Sequence, residues 1–417
     1  MTKYQTVRGM RDFLPEQMKK KQFIEDKIRR VFEKYGYEPL QSPVVEDFDL
    51  LAAKGSGGEA IKEEIYYFKD KGDRELGLRY DMTVPLARIV ASNPSLPRPF
   101  KRYVIGQVYR YDRPQAKRYR EFTQADWDII GVKSVLADFE VIQVAIDLMR
   151  SLGFEFTVKV NNRIVLEELA IKMGVKEEQI KEAFKSIDKL DKISEKGVRD
   201  EFKSKGIDDS VLEQIFVNSF DEVKARIGET ESLKELEQLL ELAKDNDYNE
   251  VKFELSLARG LEYYTGVVFE ISINDGPSVA GGGRYDKLIG LYGGQDSPAV
   301  GCSFGVDRLF DNLEKELVMG PNTDVFIIPM SDNAFSFSTK LSRKLRETGI
   351  SVELDLMGRN VKKNFEYVNK KGISFVIVIG ENEVKSERFK VKEMASGSEK
   401  EFQINDLSKI LGFIKGQ

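Results

Sequence analysis

Tyr103–Ile130 reads YVIGQVYRYDRPQAKRYREFTQADWDII, and its pattern sets the fold class of the first part of the chain. Tyr103 to Tyr111 alternates in the manner of a strand, Asp112 to Lys117 carries turn residues including Pro114, and Glu121 to Ile130 returns as a second strand. Between Arg98 and Arg120 stand eight basic residues against one acidic residue, Asp112, interleaved with Tyr103, Tyr109, Tyr111 and Tyr119. Composition alone admits a solvated charged face. Arginine dominates lysine here, however, and a guanidinium is the group suited to bidentate phosphate contacts. The segment reads as an anion-handling hairpin.

N-terminal to the hairpin, a helix is expected after Pro15, with Ile24, Ile28, Val31 or Phe32, and Tyr35 on one face. Gly36 stops it, and Tyr37 to Val45 is extended, with Pro43 marking an edge or interface strand. From Arg163 to Asn249 the texture changes to Lys and Glu at helical spacing, read as an inserted helical subdomain. Strands and Gly-rich turns resume from Glu250 to Asn312, in the same core as the first block. The expected division is 1–162, 163–249, 250–320 and, beyond Pro321-Asn322, 322–417. That last block alternates strands (Asp324 to Pro329, Ser351 to Leu356, Ser374 to Gly380) with helices (Asp332 to Thr348, Asn360 to Lys371). Two more strands, near Phe389 to Lys392 and Glu401 to Ile404, and a final helix follow, giving a small α/β domain. It holds 16 basic and 13 acidic residues, although the whole chain is net −5. Arg359, Lys362, Lys363, Lys370 and Lys371 against Glu366 make its second helix either a solvated face or a polyanion-facing one.

The bulk numbers narrow the chemistry. With 417 residues the chain is long enough for two or three domains. It contains no histidine, which excludes Ser-His-Asp and Cys-His hydrolases, His-ligated zinc enzymes and His-phosphorylated carriers. A single cysteine, Cys302, excludes an intrachain disulfide and a thiolate zinc cluster. MTKYQTVRGMRDFLP has no apolar signal region, and the longest apolar run, Phe375 to Ile379, is far too short to span a bilayer. A soluble cytoplasmic protein is expected, with no membrane partner.

The nucleotide motifs are mostly missing. There is no G-x-x-x-x-G-K-[ST] loop. Gly55 to Ala60 fits G-x-G-x-x-A, but a helix-like segment precedes it, so no Rossmann site is read there. The glycines of Ala280 to Asp286 (AGGGRYD) point to close backbone approach, to a ligand or to a neighbouring strand.

Together these segments resemble the three motifs of class II aminoacyl-tRNA synthetases. Tyr35-Gly36-Tyr37 with the strand around Pro43 resembles motif 1, Tyr109 to Phe122 motif 2, and Gly301 to Leu309 (GCSFGVDRL) motif 3. LARGLEYYTG (Leu257 to Gly266) and AGGGRYDKL (Ala280 to Leu288) resemble segments specific to the histidyl-tRNA synthetase family. LRYDMTVP (Leu78 to Pro85) resembles its archaeal and eukaryotic branch. Asp307 stands where motif 3 more often has Glu.

The resemblance implies an α+β catalytic core with an antiparallel sheet, a helical insertion and a C-terminal α/β anticodon-binding domain. It implies that ATP binds bent, with Mg²⁺ carried on its phosphates and no metal held by the protein. Arg110 and Arg259 would act as the catalytic cations at the α-phosphate, and Arg118 and Arg308 would hold the outer phosphates. Phe122 and the plane of Arg308 would sandwich adenine. Asp81, Thr83 and Gln124 would hold the ammonium group of L-histidine, and Asp128 and Tyr264 its imidazole. Arg259, Tyr263 and Tyr285 would complete that pocket. The implied partners are tRNA(His) and a second copy of the chain in a homodimer. Two other readings are a non-catalytic regulatory paralogue and a class II ligase for another amino acid. Arg110, Arg259, Arg308 and the final domain count against the first, LARGLEYYTG against the second.

Overall fold

The computed structural model describes residues 4–53, 63–111, 118–258, 263–274, 276–313 and 315–416, with residues 191 and 192 as backbone only. The chain divides into two compact units between Leu317 and Val318.

The first unit opens with the Pro15–Lys34 helix, which has Pro at its start and buries Ile24, Ile28, Val31 and Phe32. These lie four, seven and eight residues along from Ile24, one stripe of a 3.6-residue period. Gly36, at φ +74°, ends it, with the amides of Gly36 and Tyr37 donating back to the carbonyls of Glu33 and Phe32.

The strands of this unit are, in chain order, β1 (Glu38–Pro39), β2 (Val45–Asp47), β3 (Tyr67–Lys69), β4 (Glu75–Leu78), β5 (Phe100–Tyr109), β6 (Glu121–Ile130), β7 (Phe156–Asn162), β8 (Val251–Phe253), β9 (Val267–Ile273), β10 (Ser278–Arg284) and β11 (Ala299–Gly305). Eight form one sheet in the order β1-β5-β6-β11-β10-β9-β7-β8. The interior pairs are antiparallel, while the outermost pairs, β1 with β5 and β7 with β8, are parallel. The expected single extended run from Tyr37 to Val45 is two pieces, because β2 joins β3 and β4 in a separate small sheet. Pro39 and Pro43 have no N–H to donate, so neither can sustain a ladder through that run. The expected turn from Asp112 to Lys117 and the Gly55 to Ala60 segment lie outside the described residues.

One face of the large sheet is covered by the first helix and by the Val135–Ser151 helix. Trp127, fully buried, lies 5.1 Å from the Phe32 ring and stacks at 5.3 Å on Phe304. Strand alternation then sends the neighbours of Trp127 to the other face, which is where the cavity lies.

Between β7 and β8 the described residues form helices only, from Arg163–Lys172 to Glu231–Asp245, with one short 3-10 turn. Leu166, Phe184, Phe202 and Leu236 of this segment belong to the same continuous core as the sheet.

The second unit holds β12 (Val325–Pro329), β13 (Val352–Leu354), β14 (Phe375–Ile379), β15 (Arg388–Glu393) and β16 (Glu399–Gln403), in the order β13-β12-β14-β15-β16. The first three are parallel and the last two antiparallel additions. Val325 and Ile327 face one apolar cluster, Phe326 and Ile328 another, so the sheet is covered on both sides. A short helix, Glu381–Ser386, buries no residue and therefore left no apolar period in the sequence to read.

Candidate active site

Period-two alternation along β6 builds the floor of the site. Thr123, Ala125, Trp127 and Ile129 alternate with Gln124, Asp126 and Asp128, and the latter three line a cavity of about 670 Å³. Asp81, Thr83, Arg110, Tyr263, Tyr264 and Tyr285 line the same cavity. A second cavity of about 390 Å³ shares Arg110, Gln124, Gly281 and Ser303 with the first, and adds Arg118, Phe122 and Arg308. Eleven of the twelve residues singled out in the sequence therefore border two joined cavities. The twelfth, Arg259, lies outside the described residues.

Asp128 and Gly301, which line the first cavity, belong to a row of residues across adjacent strands. Arg102 on β5 faces Asp128 on β6, which faces Gly301 on β11, which faces Gly283 on β10. Arg102 Nη2 sits 2.6 Å from Asp128 Oδ2, with both side chains buried. The Tyr285 hydroxyl donates to Asp128 Oδ1. A methyl on Gly301 would overlap that same carboxylate, and one on Gly283 would lie 2.7 Å from the Val267 carbonyl and 3.0 Å from the Tyr264 ring. The glycines thus serve close approach both to neighbouring strands and to side chains of the cavity. Burial holds the phenols of Tyr264 and Tyr285 well above their ordinary range, so both stay neutral. Tyr263 lies beside them, its ring 4.4 Å from Tyr264 and 6.3 Å from Tyr285.

Beside this row runs a relay. Gln124 Nε2 donates to Ser303 Oγ at 2.8 Å, and the Ser303 hydroxyl donates to Asp126. Burial pushes the Asp126 carboxyl up to about 7, against the opposing pull of Arg102 and Ser303. At the rim, Asp81 Oδ1 accepts from the Val84 amide at 3.0 Å, in the first turn of the helix that begins at Thr83.

In the second cavity, Arg110 Nε donates to the Tyr80 carbonyl at 3.0 Å, and its guanidinium lies 5.3 Å over the Phe122 ring. Arg308 donates to the Ser278 carbonyl. Asp307 is held from three sides: by the Thr123 amide at 2.6 Å, Arg11 at 2.8 Å and Lys21 at 3.4 Å. The helix carrying Arg308 is thereby tied to β6 and to the N-terminal segment. A carboxylate at position 307 is used in full, and the shorter Asp suffices.

Sequence reasoning missed Arg102, Asp126 and Ser303. Asp126 was within reach, since it shares the strand face of Gln124 and Asp128. Lys181, Lys185, Lys189 and Lys205 also line the first cavity, from helices whose fold onto the site no local pattern reveals.

Two family profiles match the chain, one described as histidyl-tRNA synthetase over residues 9–309 and one as an anticodon binding domain over 324–412. The chain belongs to the histidyl-tRNA synthetase family. Histidine–tRNA ligase 1 of Bacillus cereus is 37% identical over 99% of this chain and 100% of its own length. Histidine–tRNA ligase of Methanocaldococcus jannaschii is 38% identical over 97% and 99%. The crystal structure of histidyl-tRNA synthetase from Nostoc sp. PCC 7120 superposes with a TM-score of 0.85 at 28% identity, over 98% and 99% of the two chains. A protein described as an ATP phosphoribosyltransferase regulatory subunit/histidyl-tRNA synthetase, from Bacillus halodurans, gives 0.77 at 26% over 91% and 98%. Bacterial and archaeal relatives stand at nearly equal identity, so these synthetases do not sort the chain into one branch. The family's class II core and its C-terminal anticodon-binding domain correspond to the two units described above.

Proposed function

We propose that the chain activates L-histidine with ATP to histidyl-adenylate and then transfers histidine to the 3′ end of tRNA(His). The observation that carries this reading is the gathering of Arg110, Gln124 and Asp128 with Arg308 and Phe122 around two joined cavities, in a chain matched by the family from residue 9 to 309. The larger cavity takes the amino acid: Gln124, Asp81 and Thr83 address the ammonium group, Asp128 and Tyr264 the ring, and Tyr263 and Tyr285 close round it. The smaller takes ATP, with adenine between Phe122 and Arg308, Arg118 and Arg308 on the outer phosphates, and Arg110 with Arg259 on the α-phosphate.

A carboxylate oxygen of histidine attacks the α-phosphorus in line, the bond to the β-phosphate oxygen breaks, and diphosphate leaves with the electron pair. A ribose hydroxyl of the tRNA then attacks the acyl carbon, loses its proton, and AMP departs. No enzyme nucleophile is needed; positioning and charge stabilisation carry the reaction. Among the described residues no three acidic or thiol groups converge at a metal-binding spacing. In this reading Mg²⁺ would come with the nucleotide, and its charge would add to that of the arginines there.

The finer assignments are part of the same reading. LRYDMTVP supports a site of the archaeal and eukaryotic type. Val44, Val45, Tyr67 and Phe68 are apolar and exposed on or beside the small sheet that follows the motif 1 segment, which supports a homodimer. Residues 1–162 and 250–320 act as the catalytic core, 163–249 as a helical insertion, and 322–417 as the anticodon grip. Cytoplasmic residence follows from the substrates, and no described helix is long and apolar enough to cross a membrane.

Pyrophosphate exchange into ATP, run with each amino acid in turn, tests the reading. Exchange with histidine alone is expected. Exchange with none would favour a regulatory protein, and exchange with another amino acid a different ligase. A fully active monomer in sedimentation would remove the dimer.

A further inference from the structure

Arg102 is a cation buried against Asp128, a residue that lines the larger cavity, and neither step of the reaction uses it. Its guanidinium is fully buried. Nη2 meets Asp128 Oδ2 at 2.6 Å and reaches the Met82 carbonyl at 3.4 Å. Nε and Nη1 have no hydrogen-bond acceptor among the described residues. Burying an arginine this incompletely satisfied is costly, and apolar residues of similar volume usually fill such a place at lower cost. A positive charge is retained where the sheet only needed volume.

We propose that Arg102 is a positioning residue for substrate recognition: by holding Asp128 and offsetting its charge, it makes the pocket select the neutral imidazole of histidine. This inference rests on the reading of the site as a histidine pocket. An unbalanced carboxylate beside the ring would draw a second proton onto it, because an opposite charge within a few ångströms favours the charged form. With Arg102 against that carboxylate, the pair presents an acceptor for one ring N–H without a net field that rewards imidazolium. Tyr285, donating to the other oxygen, fixes the carboxylate plane.

Of the surrounding groups among the described residues, Asp126 is the one that changes charge near neutral pH. Asp126 neighbours Asp128 on the same face, and burial with the charges of Asp128 and Asp81 pushes it up to about 7. Tyr264, Tyr285, Tyr37 and the Cys302 thiol are all pushed well above their ordinary range by burial, so none supplies or removes charge near neutral pH. Tyr263 also borders the cavity, and Arg79 is a further buried cation in reach of Asp126, though it donates to the carbonyls of Gln107 and Ser42.

The chain's own composition makes the test clean, since it contains no histidine and every imidazole signal in a complex belongs to the ligand. Histidine labelled with ¹⁵N in the ring is bound to the full-length protein and titrated from about pH 8 to 5.5, across its free value of about 6.5. In the wild type the bound ring is expected to keep one bare and one protonated nitrogen down to about pH 5.5. The histidine KM in pyrophosphate exchange should then rise about tenfold between pH 7.5 and 5.5, as the neutral fraction falls. In Arg102→Met the bound ring should carry protons on both nitrogens at pH 7, and the KM should then fall about 5- to 10-fold from pH 7.5 to 5.5, the opposite direction to the wild type. Arg102→Lys, which keeps the charge, should restore the neutral ring. A wild-type complex whose ring is already doubly protonated at pH 6.5 overturns the inference whether or not the variants fold, and so does a neutral ring in Arg102→Met at pH 7. Wild-type protein that binds no histidine would overturn the histidine reading itself, and this inference with it.

Discussion

Gly301 lies opposite Asp128 on the adjacent strand, and its bare α-carbon is what leaves room for the Asp128 carboxylate. Gly301→Ala would push that carboxylate away from both Arg102 and Tyr285. Hydrogen bonds to charged groups contribute about 1.5–3 kcal/mol each, so the histidine KM in pyrophosphate exchange should rise roughly 10- to 100-fold. The KM for ATP should hardly move, since the glycine is remote from Phe122 and Arg308. An unchanged histidine KM would show that Asp128 does not read the substrate.

Arg259 carries the sharpest catalytic expectation. Charge grows on the non-bridging oxygens of the α-phosphate as the carboxylate attacks, so a fixed guanidinium there is worth more in the transition state than in the ground state. Removing one such donor costs roughly 10²–10³ in rate. Arg259→Ala should lower kcat for adenylate formation by about that factor, with a smaller effect on transfer from preformed adenylate. Single-turnover assays of the two steps separate them; equal losses in both would refute the assignment.

Asp126 links pH to stability. Its folded value near 7 stands above the ordinary carboxylate value of about 3.9, so the native protein holds a proton that the unfolded chain has released. The group's favourable contribution is complete below about pH 4 and is lost as pH rises to about 7. Asp126→Asn removes the titration. The stability of the wild type relative to the variant should decline across that window, by at most about 4 kcal/mol. Chemical unfolding of both proteins at several pH values checks it, and parallel curves would count against a protonated Asp126.

The second unit has its own apolar cores and a family match as an anticodon binding domain. Deleting Val318–Gln417 should leave pyrophosphate exchange within a few-fold of the full chain and cut tRNA charging by at least about tenfold, a loss of about 1.4 kcal/mol or more. Full charging by a folded truncation would remove the domain from tRNA binding.

Much of this was legible in the chain itself. The stripe from Ile24 to Phe32, the alternation of β5 and β6 and the strand–helix rhythm after Asn322 are local periodicities, and burial of one face is what writes them into a sequence. The candidate site residues came from a different source: LARGLEYYTG and GCSFGVDRL resemble a family, and that resemblance, not local periodicity, suggested their chemistry. Only the tertiary structure could break Tyr37 to Val45 into two sheets, make the outermost strand pairs parallel, and bring lysines of the 163–249 helices to the cavity.

It also decided the pairing of Arg102 with Asp128. These residues stand far apart in sequence and meet because β5 and β6 align them across the sheet, with Gly301 leaving the space. Periodicity reports which face a residue takes. Which partner it meets there is set by strand register, a property of the assembled sheet rather than of any one stretch of sequence.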